Sequence, residues 1–103
     1  MTRTIDLPAP DLAILRQVLR DHLPPSTEVW VFGSRVTGTA RRYSDLDLAL
    51  QGDAALEWSM MAQLKDALSE SDLAVKVDVV DLLAADPAFR RILQSEMVAL
   101  PSQ

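Results

Sequence analysis

The chain lacks cysteine altogether and has a single histidine, His22, among its 103 residues. Disulfides and thiolate metal sites are therefore excluded, and the histidine has no second imidazole with which to share a metal ion. No apolar run approaches the roughly 18 residues of a membrane-spanning helix. The N-terminal segment MTRTIDLPAP also lacks the apolar core of a signal peptide, so we expect a cytoplasmic protein that crosses no membrane.

Positive charge is scarce as well. Ten lysines and arginines face fifteen aspartates and glutamates, which gives a formal net charge of −5. This balance argues against broad, sequence-independent binding to nucleic acid, which requires a basic surface. A nucleotide ligand stays possible, because a bound divalent cation can reverse the local field. The hydrophobic fraction of 49% and the length predict one globular domain over residues 1–103.

The periodicity of apolar residues predicts an α+β fold, in which helices pack on a small mixed sheet of three to five strands. Leucines at helical spacing predict a first helix over residues 9–23, which Pro24 and Pro25 end. The later predicted strands are at 28–32, at 45–51 with Leu46, Leu48 and Leu50 buried, and at 75–80, with a candidate edge strand at 98–100. A short helix is predicted from Gly33-Ser34 and a longer one from Leu56 to Leu68. Asp86-Pro87 begins a last helix, whose apolar stripe is Phe89, Ile92 and Leu93.

A Gly-Ser turn, Gly33-Ser34, directly follows the first predicted strand. Glycine lets the backbone approach phosphate oxygens closely, and serine adds a hydroxyl group. Arg35, Arg41 and Arg42 flank the turn, and the planar guanidinium group suits phosphate. Gly-Ser turns and surface arginines are also common where no ligand binds, so an ordinary turn with solvated arginines stays an open alternative.

Two aspartates, Asp45 and Asp47, are separated by one residue on a predicted strand and therefore point to the same face. Two carboxylates at such a short distance repel each other unless a cation lies between them. Mg²⁺ is commonly held by one or two carboxylates together with water and substrate phosphates. The alternative is a solvated strand edge on which acidic and apolar residues alternate.

Asp78 lies between valines in a later predicted strand, where an acid is costly unless it faces a functional site. If that strand lies beside the Asp45–Asp47 strand, the three carboxylates can converge. In such a group two carboxylates would hold metal ions. The third would help to hold one of these ions and would accept the proton of an attacking hydroxyl. Asp81 competes for this role, but its odd spacing places it on the opposite face, which favours a turn or helix cap.

The combination of these residues resembles the DNA polymerase β-like nucleotidyltransferase superfamily, in particular its small members, the minimal nucleotidyltransferases (MNT). The shared pattern is an apolar strand, Gly-Ser, an arginine, a further glycine, and Ser-Asp-hydrophobic-Asp. In this chain the pattern comprises Phe32, Gly33, Ser34, Arg35, Gly38, Ser44, Asp45, Leu46 and Asp47. The resemblance covers nearly the whole chain and implies a fold like the palm of polymerase β.

The resemblance also implies an activity. A nucleoside triphosphate, with ATP as the expected substrate, binds with Mg²⁺ in a two-metal site and places its phosphates at the Gly-Ser turn. An acceptor hydroxyl attacks the α-phosphate and pyrophosphate leaves. By this resemblance Asp45 and Asp47 hold the metal ions, and Asp78 completes the metal site or acts as the base. Catalysis of this kind consists mainly of positioning and charge neutralisation.

Larger members of the superfamily carry an added domain for the acceptor, and this chain leaves no room for one. The resemblance implies a helical partner encoded nearby, either a HEPN protein or a substrate-binding-like protein, in a homodimer or hetero-oligomer. In several such toxin–antitoxin pairs the MNT protein adenylylates a tyrosine of the HEPN ribonuclease. Two alternatives stay open: an antitoxin that acts by contact alone, and a small-molecule nucleotidyltransferase of the aminoglycoside type. The presence of all three acids favours the enzyme.

Overall fold

Helices and strands alternate along the computed structural model, which describes residues 5–38 and 44–100. Most strand residues are β-branched, aromatic or leucine, and the helices begin and end near proline, glycine, serine or acidic residues. The elements of the described residues are α1 (Ala9–His22), β1 (Glu28–Phe32), α2 (Ser34–Thr37), β2 (Leu46–Gln51), α3 (Trp58–Glu70), β3 (Val77–Asp81), α4 (Pro87–Glu96) and β4 (Val98–Ala99).

The four strands form one mixed sheet in the order β3-β2-β1-β4. β1 runs antiparallel to β2 and to β4, whereas β2 and β3 are parallel. In this register Phe32 lies opposite Asp47, and Asp47 lies opposite Asp78, so these three residues form a row across the sheet. The sheet and its packed helices confirm the predicted α+β fold, and β4 confirms the candidate edge strand.

The main hydrophobic core lies on the face of the sheet that α1 and α3 cover. Leu46, Leu48 and Leu50 of β2 are completely buried there, as their alternation with polar residues predicts. Full burial of a leucine side chain stabilises the fold by about 1.5–3 kcal/mol before the loss of conformational entropy is counted. The helical and strand residues that complete this core are Leu15, Leu19, Val31, Val36, Leu64, Leu68 and Val79.

The second face of the sheet carries a smaller apolar cluster, made where α4 packs against Ala49 and Leu82. Leu93 of α4 is buried in this cluster, but Phe89 is 41% exposed and Ile92 is 61% exposed. The predicted apolar stripe is therefore only partly buried. The reason is the row of Asp47 and Asp78, which occupies part of this face and leaves less apolar surface for α4 to cover.

Several element boundaries differ from the sequence prediction, among them the starts of α3 and β3. α3 begins at Trp58 rather than at Leu56, because the Leu56 amide donates a hydrogen bond of 2.8 Å to Asp81 Oδ2 and so belongs to the preceding turn. Asp81 Oδ1 also accepts from the Leu83 amide at 3.1 Å, which confirms Asp81 as a turn cap. β3 begins at Val77, two residues later than predicted.

The start of α4 is capped as the sequence predicts. The Asp86 carboxylate accepts a hydrogen bond of 3.4 Å from the Phe89 amide, and Pro87 is the first helical residue. This arrangement satisfies one of the backbone N–H groups that every helix leaves free at its start. Within residues 5–38 and 44–100, no helix has both the length and the apolar character needed to cross a membrane.

Candidate active site

Three carboxylates meet at one end of the second face of the sheet. Asp47 of β2 and Asp78 of β3 are register partners on adjacent parallel strands, so their backbones are about 4.8 Å apart and their side chains share a face. Asp45 immediately precedes β2, two residues before Asp47. The structure therefore brings together the three acids that the sequence singles out. Asp45 is exposed, whereas Asp47 and Asp78 are half-buried.

The pKa of the Asp47 carboxyl responds both to burial and to the charges of the neighbouring acids. Burial raises this pKa above the ordinary value of 3.8, and the negative charges of Asp78, Asp45 and Glu96 raise it further. An ionised Asp47 is thus unfavourable in the protein alone. A cation placed among these carboxylates would relieve the repulsion and favour the ionised form.

Gly33 lies directly against the Asp47 carboxylate. Its φ of +80° is in the region that favours glycine, and a Cβ built on it would collide with Asp47 Oδ2. The Gly33 carbonyl accepts hydrogen bonds from the amides of Val36 and Thr37, which start α2. Glycine is needed here both for the backbone conformation and for the close approach of the acid.

Glu96 is a fourth acid at the site, and the sequence reasoning missed it. It is the last residue of α4, and its Oε1 accepts a hydrogen bond of 3.3 Å from the Gly33 amide. The two residues are 63 positions apart. No local pattern around Glu96 signals this contact, because it depends on how α4 packs against the end of β1.

Arg35 is almost completely buried, with 5% of its surface exposed. Its Nη1 donates to the Asp6 carbonyl at 2.8 Å, and its Nη2 and Nε donate to the Ser44 carbonyl at 2.9 and 3.2 Å. These bonds join the segment before α1 to the residue that precedes Asp45. They give Arg35 a positioning role that the sequence does not reveal, and its phosphate contact stays a prediction.

Of the other residues predicted to contact phosphate, Ser34 is among the residues that the structure describes, whereas the two arginines of the following loop are not. Ser34 is the first residue of α2 and is partly buried beside Gly33. Arg41 and Arg42 lie outside the described residues. Lys76, which the sequence reasoning did not select, places its Nζ 4.0 Å from Asp78 Oδ1, and the Lys76 side chain is 75% exposed while that of Asp78 is about half exposed. An ion pair of this exposure contributes little to stability, but it brings a positive charge to the edge of the acidic cluster.

The three acids can be tested against the Mg²⁺ that the resemblance implies. Among the described residues, no three histidine, cysteine, aspartate or glutamate side chains are grouped so as to hold a metal ion by themselves. Mg²⁺ needs no such cage, since it commonly binds one or two carboxylates and takes its other oxygens from water and phosphate. Neighbouring carboxylates on two strands, with the pKa of Asp47 raised by burial and then by their repulsion, are suited to an ion that arrives with a nucleotide.

A cavity of about 800 Å³ lies elsewhere, between α1 and the edge formed by β1 and β4. Arg16, Trp30 and Leu100 are among its lining residues. Its lining includes neither Gly33 nor any of the three aspartates, so this cavity is separate from the candidate active site.

Comparison with known proteins gives close relatives over most of the chain. The chain is 41% identical over 96 residues to the "Probable protein adenylyltransferase MntA" of Haemophilus influenzae, which covers 93% of this chain and 83% of the relative. It is 37% identical over 73 residues to the protein adenylyltransferase MntA of Shewanella oneidensis, which covers 67% of this chain and 49% of that relative.

The fold is similar to that of a solved structure, a toxin–antitoxin with AMP-PNP. The TM-score is 0.75 at 27% identity, and the match covers 89% of this chain and 73% of that one. The family described as polymerase beta, nucleotidyltransferase matches residues 14–102. That range contains the Gly33 turn, the three aspartates and Glu96, and the match confirms the resemblance carried by the motif. The chain belongs to the polymerase β nucleotidyltransferase family.

Proposed function

We propose that this nucleotidyltransferase moves AMP from ATP to a hydroxyl group of a partner protein. The observation that carries the proposal is the row of Asp47 and Asp78 packed against Gly33, with Asp45 beside it. The names of the two MntA relatives, both protein adenylyltransferases, support AMP as the transferred group and a protein as the acceptor.

Each acid has a proposed role in this reaction. Asp45 and Asp47 would hold Mg²⁺ in a two-metal site, and Asp78 would complete that site or accept a proton. The metal would neutralise charge on the triphosphate and on the leaving pyrophosphate. The acceptor oxygen bonds to the α-phosphorus, the bond from that phosphorus to pyrophosphate breaks, and the hydroxyl proton passes to Asp78 or to solvent. Gly33 and Ser34 would position the phosphates, with Arg41 and Arg42 as further predicted contacts.

The proposed partner is a helical HEPN protein, with this chain as the antitoxin of a toxin–antitoxin pair. The solved toxin–antitoxin structure with AMP-PNP supports this choice. The acceptor must reach the α-phosphate, so the partner has to lie beside the acids. Phe89, Ile92 and Glu96 follow one flank of α4, since they are spaced by three and four residues, and Glu96 contacts the Gly33 turn. We place this reaction in the cytoplasm, where ATP is available.

Transfer can be tested with ATP labelled at the α-phosphate. The chain, Mg²⁺ and the helical protein encoded beside it should give a labelled partner and free pyrophosphate. Asp45→Asn or Asp47→Asn should lower the initial rate at least about 100-fold, as expected when charge stabilisation of the transition state is lost. Asp72→Asn is the matched control, because Asp72 is an exposed acid in the turn after α3.

Other results would redirect the proposal. Neutralisation of the partner that persists in both variants, without label, would identify an antitoxin that acts by contact. Label on an aminoglycoside, with none on any protein, would identify a small-molecule nucleotidyltransferase. Label on the partner that survives both substitutions would remove Asp45 and Asp47 from the reaction.

A further inference from the structure

We propose that Glu96 is a positioning residue of the nucleotide site, and that its charge makes binding of the triphosphate depend on a divalent cation. This inference rests on the proposed function, since it concerns the same nucleotide. Glu96 ends α4 and is half-buried. Its Oε1 accepts the hydrogen bond of the Gly33 amide at 3.3 Å.

The contact places Glu96 where it can control the turn. Gly33 caps α2, and its Cα lies against the Asp47 carboxylate. A bond to the Gly33 amide therefore fixes the turn from one side while Asp47 packs on it from another. Through this bond α4, whose sequence is remote from the motif, holds the phosphate turn next to the acids.

The charge of Glu96 has a second consequence. Glu96 accepts from the Gly33 amide and Asp47 packs on Gly33, while the charges of Glu96, Asp45 and Asp78 all act on Asp47. A triphosphate that approaches the Gly33 amide has to compete with the Glu96 carboxylate and is repelled by all four acids. A divalent cation between phosphates and carboxylates converts this repulsion into attraction. Nucleotide without metal should therefore be rejected.

Two substitutions separate positioning from charge. Glu96→Gln keeps an oxygen that can accept from the Gly33 amide but removes the negative charge. Glu96→Ala removes both. Glu70→Gln is the matched control, because it removes one negative charge from an exposed position at the end of α3.

The test is calorimetric titration of the whole chain with ATP, once in EDTA and once with excess Mg²⁺. In EDTA, Glu96→Gln should bind ATP about tenfold more tightly than the wild type or Glu70→Gln, the size expected for removing one charge near a polyanion at a partly exposed site. With Mg²⁺, Glu96→Gln should stay within about threefold of the wild type. Glu96→Ala should share the gain in EDTA but bind MgATP about tenfold more weakly, because the turn is no longer held.

Two outcomes would overturn the inference. One is Glu96→Gln matching Glu70→Gln in both titrations, and the other is a wild type that binds ATP equally well with and without Mg²⁺. Failure of the proposed function has a different signature. A wild type that binds MgATP and shows the expected differences, yet never labels a partner, would overturn the transfer reaction and leave the role of Glu96 standing.

Discussion

At the scale of one residue, Asp47 is an acid whose surroundings oppose its negative charge. Its carboxyl is half-buried, pressed against Gly33 and surrounded by three other acids. Burial is the largest cause of its raised pKa, and the neighbouring charges add to it. These surroundings oppose the negative charge of Asp47, and the cation of the proposed function would offset that repulsion.

Asp47→Asn should therefore stabilise the protein without metal while it abolishes nucleotide transfer. Asparagine is nearly isosteric and removes the repulsion. Because Asp47 is only partly buried, we expect a gain of only about 0.5 kcal/mol near pH 7, or about 2–4 °C in Tm. Thermal unfolding in EDTA, followed by circular dichroism, measures the difference.

The stability difference between the wild type and Asp47→Asn depends on pH with a definite sign. The pKa of Asp47 is raised in the folded protein, so on raising the pH the unfolded chain releases this proton first, from 3.8 upward. The stability of the wild type therefore falls relative to Asp47→Asn until the pH exceeds the folded-state pKa, and the difference is constant above it. Below pH 3.8 the two proteins should converge. A wild type that is more stable than the variant at neutral pH would contradict the electrostatic account.

At the scale of elements, the entry into α2 depends on one glycine for two separate reasons, and the exit offers a control. Gly33 and Gly38 flank α2 and have similar positive φ angles of 80° and 85°. A Cβ on Gly33 would collide with Asp47, whereas a Cβ on Gly38 would meet no described atom within 4 Å. The backbones differ as well, because the ψ of −156° at Gly33 belongs to a region almost exclusive to glycine, whereas the ψ of 11° at Gly38 is left-handed helical.

Gly38→Ala should destabilise the protein by about 1–2 kcal/mol, the cost of the left-handed conformation alone. Gly33→Ala should cost about 3 kcal/mol or more, because its backbone conformation is nearly exclusive to glycine and the Cβ also displaces Asp47. Urea denaturation of both variants gives these values. Only Gly33→Ala should weaken MgATP binding in calorimetry. Equal losses of stability and equal MgATP affinity in the two variants would refute the proposed packing of Asp47 on Gly33.

The elements were predictable because their patterns are local. Alternating Leu46, Leu48 and Leu50 identify β2 and its buried face, and Asp86-Pro87 identifies the start of α4. The errors arise where a distant contact decides. Leu56 is apolar and fits the helical spacing, but the Asp81 carboxylate, 25 residues away, holds its amide in a turn.

The same distinction applies to the site. Asp47 and Asp78 lie in strand patterns that predict which way each side chain points, and the parallel pairing of β2 and β3 brings these two together, with Asp45 immediately before β2. Glu96 reaches Gly33 across 63 residues, and Arg35 reaches Asp6 across 29. Neither contact leaves a local signature, because each depends on how finished elements pack.

At the scale of the whole molecule, the proposed transfer to a protein would place that partner on the side of the exposed flank of α4. Phe89 and Ile92 remain exposed although their spacing is typical of a buried stripe. The flank leads to Glu96 and hence to the Gly33 turn. A hydroxyl group presented by a protein seated on this flank would lie near the acids, whereas one bound at α1 or α3 would face the opposite side of the sheet.

Ile92→Asp should weaken binding of the helical partner about tenfold or more, because a charge in an apolar contact removes an anchor and leaves the aspartate desolvated. MgATP affinity should stay unchanged, and stability should change by no more than about 0.5 kcal/mol because residue 92 is exposed. Gln94→Asp places the same charge on an exposed position of α4 roughly half a turn away and serves as the control. Biolayer interferometry with immobilised partner measures both variants. If both bind with wild-type affinity, the partner lies on another surface.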